Sequence, residues 1–129
     1  MHRAVRCAWS AGFLLGAMSH ARDIATHGWL PYEFMPLPFN AYWTALLPLD
    51  LVAAALVWWR ERVAIWLGTA IMASNLAING WTIWGAGYTQ LIGSVMVQAG
   101  FASFVFIVAA SDRLKVAWPR GPGRLGRGA

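Results

Sequence analysis

The stretch FNAYWTALLPLDLVAAALVWW sets one carboxylate, Asp50, near the middle of a run apolar enough to cross a bilayer. A charged Asp at a helix centre costs about 2.5–3.5 kcal/mol even on lenient insertion scales, so the chain has to make it tolerable. No Lys or Arg lies at the same depth in the other apolar runs. The carboxyl is therefore either neutral or meets a cation or water that the neighbouring helices do not supply. Counting inward from one end of each run, Asp50, Asn75 and Gln98 all lie about nine residues, or about 13–14 Å, deep. Unpaired polar groups in hydrocarbon cost about several kcal/mol each, so these three are expected to face one another, with Asn79 one turn from Asn75. The plain reading is structural, since interhelical amide hydrogen bonds hold membrane helices together at about 0.6 kcal/mol apiece. The functional reading is a ligand cavity in which Asp50 recognises a polar or cationic head. Its binding residues would be Asp50, Asn75, Asn79, Gln98, His20 and Asp23.

A second constellation lies in SHARDIATHG, where His20, Asp23 and His27 share one face of a helix. Three readings stand. The stripe is a solvated helix end; or Asp23 orients His20 as an acid/base pair, making His20, Asp23 and Asp50 the catalytic candidates; or the histidines ligate a metal, haem or chlorophyll. The i, i+7 spacing separates the two imidazoles by about 10 Å, too far to share one ion on an unbroken helix. No metal site and no cofactor are expected.

The elements that must position these groups follow from the apolar runs. Four crossings are expected at about residues 5–26, 41–59, 63–84 and 89–111, forming an antiparallel all-α transmembrane bundle. Gly12 and Gly16 in the first have a spacing that lets another helix approach closely. Pro31, Pro36 and Pro38 break the first connection, GWLPYEFMPLP, whose aromatic residues suit the membrane interface. Pro48 removes one backbone hydrogen bond beside Asp50. Arg60-Glu61-Arg62 makes a tight turn between crossings two and three. Residues 1–118 read as one transmembrane domain, and the Gly/Pro/Arg-rich residues 119–129 as a disordered basic tail in contact with anionic headgroups.

Composition agrees. Of 129 residues, 59% are hydrophobic and 12% charged, about half the charged share of an ordinary soluble domain. The net charge of +5 gathers at Arg3 and Arg6, at Arg60 and Arg62, and beyond Arg113. The positive-inside rule then puts both termini and the Arg60–Arg62 turn in the cytoplasm, as in a multi-pass protein of the inner membrane. These charges flank apolar runs and form no basic-aromatic face, which argues against nucleic-acid binding. The single cysteine, Cys7, excludes an internal disulfide and a Cys-based metal site. Arg3, Arg6 and the run that follows resemble a signal peptide cleaved near Ala17-Met18-Ser19, but the apolar run continues past that site.

FNAYWTALLPLDLVAAALVWW, the basic turn and AIMASNLAINGW resemble small four-helix bacterial membrane proteins of uncharacterised function, over most of residues 10–110. More remotely the plan is similar to the EXPERA group, the emopamil-binding-protein and sigma-2-receptor-like membrane proteins. That resemblance implies a cavity for a sterol or cationic amphiphile, with Asp23 at the outer end of the first helix and Asp50 within the second. Asn79-Gly80-Trp81 stands for that group's late Asn-x-x-Trp with a spacing shorter by one. The longer first loop and the glutamates of that group are absent.

Three functions are consistent with these residues. The first is binding of a lipid-like or amphipathic molecule within the bundle. The second is a role as an accessory subunit of a larger respiratory or photosynthetic membrane complex, or as a homo-oligomer, in contact with membrane lipids. The third is acid/base chemistry on a lipid, although no motif identifies an enzyme.

Overall fold

The computed structural model describes residues 1–117, so the expected tail at 119–129 lies outside the described residues. Those residues form four α-helices and no strand: α1 (Arg3–His27), α2 (Leu37–Leu56), α3 (Glu61–Trp84) and α4 (Ile92–Ala117), the last preceded by a single 3₁₀ turn at Thr89–Leu91. Three helices are long and apolar enough to cross a membrane, namely Leu37–Leu56, Glu61–Trp84 and Thr89–Leu114. The fourth, α1, matches them in length with 25 residues, but Arg3, Arg6, Arg22 and Asp23 dilute its apolar character.

Helix ends differ from the sequence expectation for local reasons. The second helix begins at Leu37, before the expected residue 41, because Pro38 sits in its first turn. There a missing N–H leaves no bond unmade, so the proline starts the helix instead of interrupting it. The same helix stops at Leu56 and not at Trp59. Its last four carbonyls are all accounted for. The Trp9 indole donates to the Ala53 carbonyl (3.2 Å) and the Ser10 hydroxyl to that of Ala54 (2.8 Å). The N–H groups of Trp58 and Trp59 take those of Ala55 and Leu56. A helix end that would otherwise present orphan carbonyls thus becomes the dock for α1. The fourth helix runs on to Ala117, past the expected end at 111.

Consecutive helices pack in chain order, α1 on α2, α2 on α3 and α3 on α4. The core between them is built from Trp9 and Phe13 of α1, Trp43 and Leu46 of α2, Ile71 and Met72 of α3, and Val105 of α4. Trp9 fits because α3 offers Gly68 beneath it: a Cβ there would lie 2.4 Å from Trp9 Cζ2. Arg6 ties the start of α1 to Glu61 at the start of α3, with Nη2 to Oε2 at 2.7 Å. An acid in a first helical turn also suits the helix dipole.

α1 and α4 are not a closely packed pair of backbones. They meet through rings, Phe13 edge-on to Phe101 at 5.2 Å and Trp9 tilted against Phe104 at 6.5 Å. Gly12 makes room for the Phe101 ring, which stands 2.1 Å from where a Cβ would be. The Gly12–Gly16 pair therefore admits side chains and not a second helix backbone. Between α1 and α4, on the loop side of these rings, space is left.

Candidate functional site

That space is a cavity of about 410 Å³ with walls from all four helices, among them Gly16, His20, Asp50, Asn75, Gln98 and Phe101. Its size is that of small-molecule sites, which run from about 300 to 1,000 Å³. Leu15 of α1 and Val97 of α4 stand on its rim and are 66% and 77% exposed, so it opens sideways between those helices. Asp50 is 4% exposed. Its carboxyl reaches α1 at Gly16, where a Cβ would lie 2.6 Å from Oδ2. The buried Oδ1 has no hydrogen-bond partner among the described residues. A buried carboxyl oxygen left without a donor is costly, about 1–3 kcal/mol or more.

Nearer the Gly28–Pro36 loop lies a second cavity of about 120 Å³, lined by His20, Asp23, Tyr32, Asn75, Asn79 and Gln98 among others. His20, Asn75 and Gln98 line both cavities, so the two adjoin. The amide of Asn79 organises the wall. Its Nδ2 donates to Asn75 Oδ1 (2.9 Å) and to Gln98 Oε1 (2.7 Å). Its Oδ1 accepts from the Trp43 indole (2.9 Å). Both protons and the oxygen of one buried side chain are thereby used, joining α2, α3 and α4.

The depth count placed Asp50, Asn75 and Gln98 in one network, and this is corrected in part. Asn75 and Gln98 are joined through Asn79, but the α2 member is Trp43, two turns before Asp50. Asp50 stands apart because it lies about 10 Å further along α2 than Trp43, where its carboxyl meets α1 at Gly16. What it shares with Asn75 and Gln98 is a cavity wall, not a hydrogen bond.

His20 and Asp23 also differ from expectation. They do not bond directly: the Tyr32 phenol stands between them, donating to Asp23 Oδ2 (2.9 Å) and meeting His20 Nδ1 (2.8 Å). With the only phenolic proton on Asp23, the second bond is donated by the imidazole, which places the proton on Nδ1 and the lone pair on Nε2. Burial pushes the Tyr32 phenol well above its ordinary value, and Asp23 pushes it further, so the hydroxyl keeps its proton. His27 does not join. It is exposed, with Nδ1 at 3.3 Å from the Asp23 carbonyl of its own helix. No group of three His, Cys, Asp or Glu side chains suited to a metal ion occurs among the described residues.

Tyr32 reaches this position because the loop is clamped. Asn40, buried at the start of α2, accepts from the Tyr32 N–H (3.0 Å) and donates to the Leu30 carbonyl (2.8 Å). Leu30 adopts φ 61°, a left-handed conformation that side chains with a Cβ rarely take. The Tyr32 ring packs edge-on against Trp43 at 5.2 Å. Tyr88 donates to the Phe34 carbonyl (2.9 Å) and holds the rest of the loop down. Sequence reasoning missed Tyr32, Asn40 and Trp43. The one available signal was Asn40, an amide at the start of an apolar run with no helical partner in register.

Comparisons with protein-family models, with curated proteins and with solved structures return no match.

Proposed function

We propose that this chain is an inner-membrane protein of four crossings that binds a lipid-like or amphipathic small molecule between α1 and α4. In this reading α1 crosses as well. It presents Leu14, Leu15 and Met18 outward, keeps its charged residues at its two ends, and buries Trp9, Phe13 and Ala17 against its neighbours. The clustering of Arg3, Arg6, Arg60 and Arg62 at one end supports both termini in the cytoplasm and the loop of residues 28–36 outside. The ligand head lies beside Asp50, Asn75 and Gln98, and its apolar part leaves through the gap between Leu15 and Val97.

One observation carries this reading: a buried carboxyl with an unpartnered oxygen on the wall of a cavity of about 410 Å³ that opens sideways between α1 and α4. The test is mass spectrometry and density mapping of the purified protein and of Asp50→Asn. The expected result is a non-protein molecule beside Asp50 that is lost or much depleted in Asp50→Asn, while the thermal midpoint is kept. Identical co-purifying molecules in both, with only side chains and water beside Asp50, would sink the idea.

A second reading, an accessory subunit of a larger membrane complex, has its support in α4. Its crossing is only 17% buried, and Met96, Val97 and Ile107 stand exposed on it. Native mass spectrometry in mild detergent separates the two, because a stable lone chain counts against a subunit.

A further inference from the structure

Three spaces adjoin one another along α1. A groove of about 420 Å³ at the loop end is lined by Asp23, His27, Tyr32 and Glu33 among others. Asp23 and Tyr32 also line the small cavity behind it, and His20 lines both that cavity and the larger one that holds Asp50. Hydrogen bonds of 2.9 and 2.8 Å run along the same route, from Asp23 through the Tyr32 hydroxyl to His20 Nδ1. Each boundary between adjoining spaces is thus marked by a group that can pass a proton. We propose that Asp23, Tyr32 and His20 form a proton relay joining the loop-end groove to the cavity of Asp50, so that Asp50 gains or loses a proton in place.

The step balances. A proton from the cavity bonds to His20 Nε2, the Nδ1 proton passes to the Tyr32 oxygen, and the phenolic proton passes to Asp23 Oδ2, which releases it to the groove. The relay has moved one proton and holds His20 as the other tautomer; uptake from the groove is the same sequence reversed. No electron moves and no covalent partner is needed. Among the described residues, His20 is the one acid or base that α1 adds to the wall around Asp50, and the polar groups that α3 and α4 bring are Asn75, Ser94 and Gln98. On α2 itself, the Tyr42 hydroxyl is bonded to Ser74 at 2.7 Å. In the groove beside Asp23 the other titratable groups are His27 and Glu33, and the exposed Arg22 precedes Asp23 in the chain. The path from His20 to Asp50 requires water in that cavity, at about 30 Å³ per molecule.

The inference goes beyond ligand binding and does not depend on it, because its tests read His20 and Asp50 directly. In full-length protein in lipid nanodiscs, ¹⁵N resonances of His20 are expected to report the Nδ1–H tautomer. Tyr32→Phe keeps the ring against Trp43 and removes only the hydroxyl, so it is expected to abolish that preference with the fold intact. The second readout is infrared: the Asp50 carboxyl band, assigned by its loss in Asp50→Asn, is followed on transfer to D₂O. Exchange is expected to slow about a hundredfold in Tyr32→Phe and in His20→Gln. An Nε2–H tautomer unaltered by Tyr32→Phe, wild-type exchange in both variants, or an Asp50 that takes no proton at any accessible pH would each overturn the relay. A ligand lost in Asp50→Asn alongside any of these outcomes leaves the binding proposal standing.

Discussion

Asn79 is the single side chain whose loss should be felt on three helices. Asn79→Ala leaves the Trp43 indole, on a residue only 4% exposed, without an acceptor, and frees the oxygens of Asn75 and Gln98. A stranded buried donor costs about 1–3 kcal/mol, so a loss near the upper end is expected in reversible unfolding from mixed micelles. Asn75→Ala breaks one bond and should cost about 1 kcal/mol. Asn79→Asp is the sharper case: nearly the same shape, it still accepts from Trp43 but turns an acceptor oxygen onto two others. It should destabilise at least as much as alanine. At this scale the sequence was legible where helical spacing carried the message. Asn75 and Asn79 are one turn apart, and Gln98 followed from depth. Tyr32 and Asn40 were not legible, because their meeting depends on a loop that passes through φ 61° at Leu30, and no period in the chain encodes that.

The helices show where pattern suffices and where it does not. Apolar runs located all four helices, and three of them are long and apolar enough to cross a membrane. The ends at Leu37 and Leu56 depended on a first-turn proline and on carbonyls capped by Trp9 and Ser10 from another helix, which composition cannot reveal. Packing between helices makes its own prediction at Gly68. A methyl group there would meet the Trp9 ring at 2.4 Å, and overpacking of this kind costs about 1–3 kcal/mol. Gly68→Ala is therefore expected to lower the unfolding midpoint. The pair Gly68→Ala with Trp9→Leu should recover part of that loss compared with the sum of the single changes. Strict additivity in that double-mutant cycle would mean the two residues do not touch in the folded protein.

For the whole molecule, orientation is the open prediction, and cysteine labelling in intact cells reads it. With Cys7 replaced by Ser, a cysteine at exposed Ala86, between α3 and α4, should react with a membrane-impermeant thiol reagent added outside. A cysteine at exposed Arg62 should react only after permeabilisation. The opposite pattern would invert the topology, and reaction of both from outside would mean that α3, which lies between them, does not cross. The gap between α1 and α4, rimmed by Leu15 and Val97, has a further consequence. On the binding reading proposed above, an occupant arriving there comes from the hydrocarbon itself and not from water at either surface, so its effective concentration is its mole fraction among the lipids. The state of the bilayer then governs exchange. Saturated, ordered chains pressing on the seam slow both arrival and escape, thin fluid ones hasten them, and added salt changes neither.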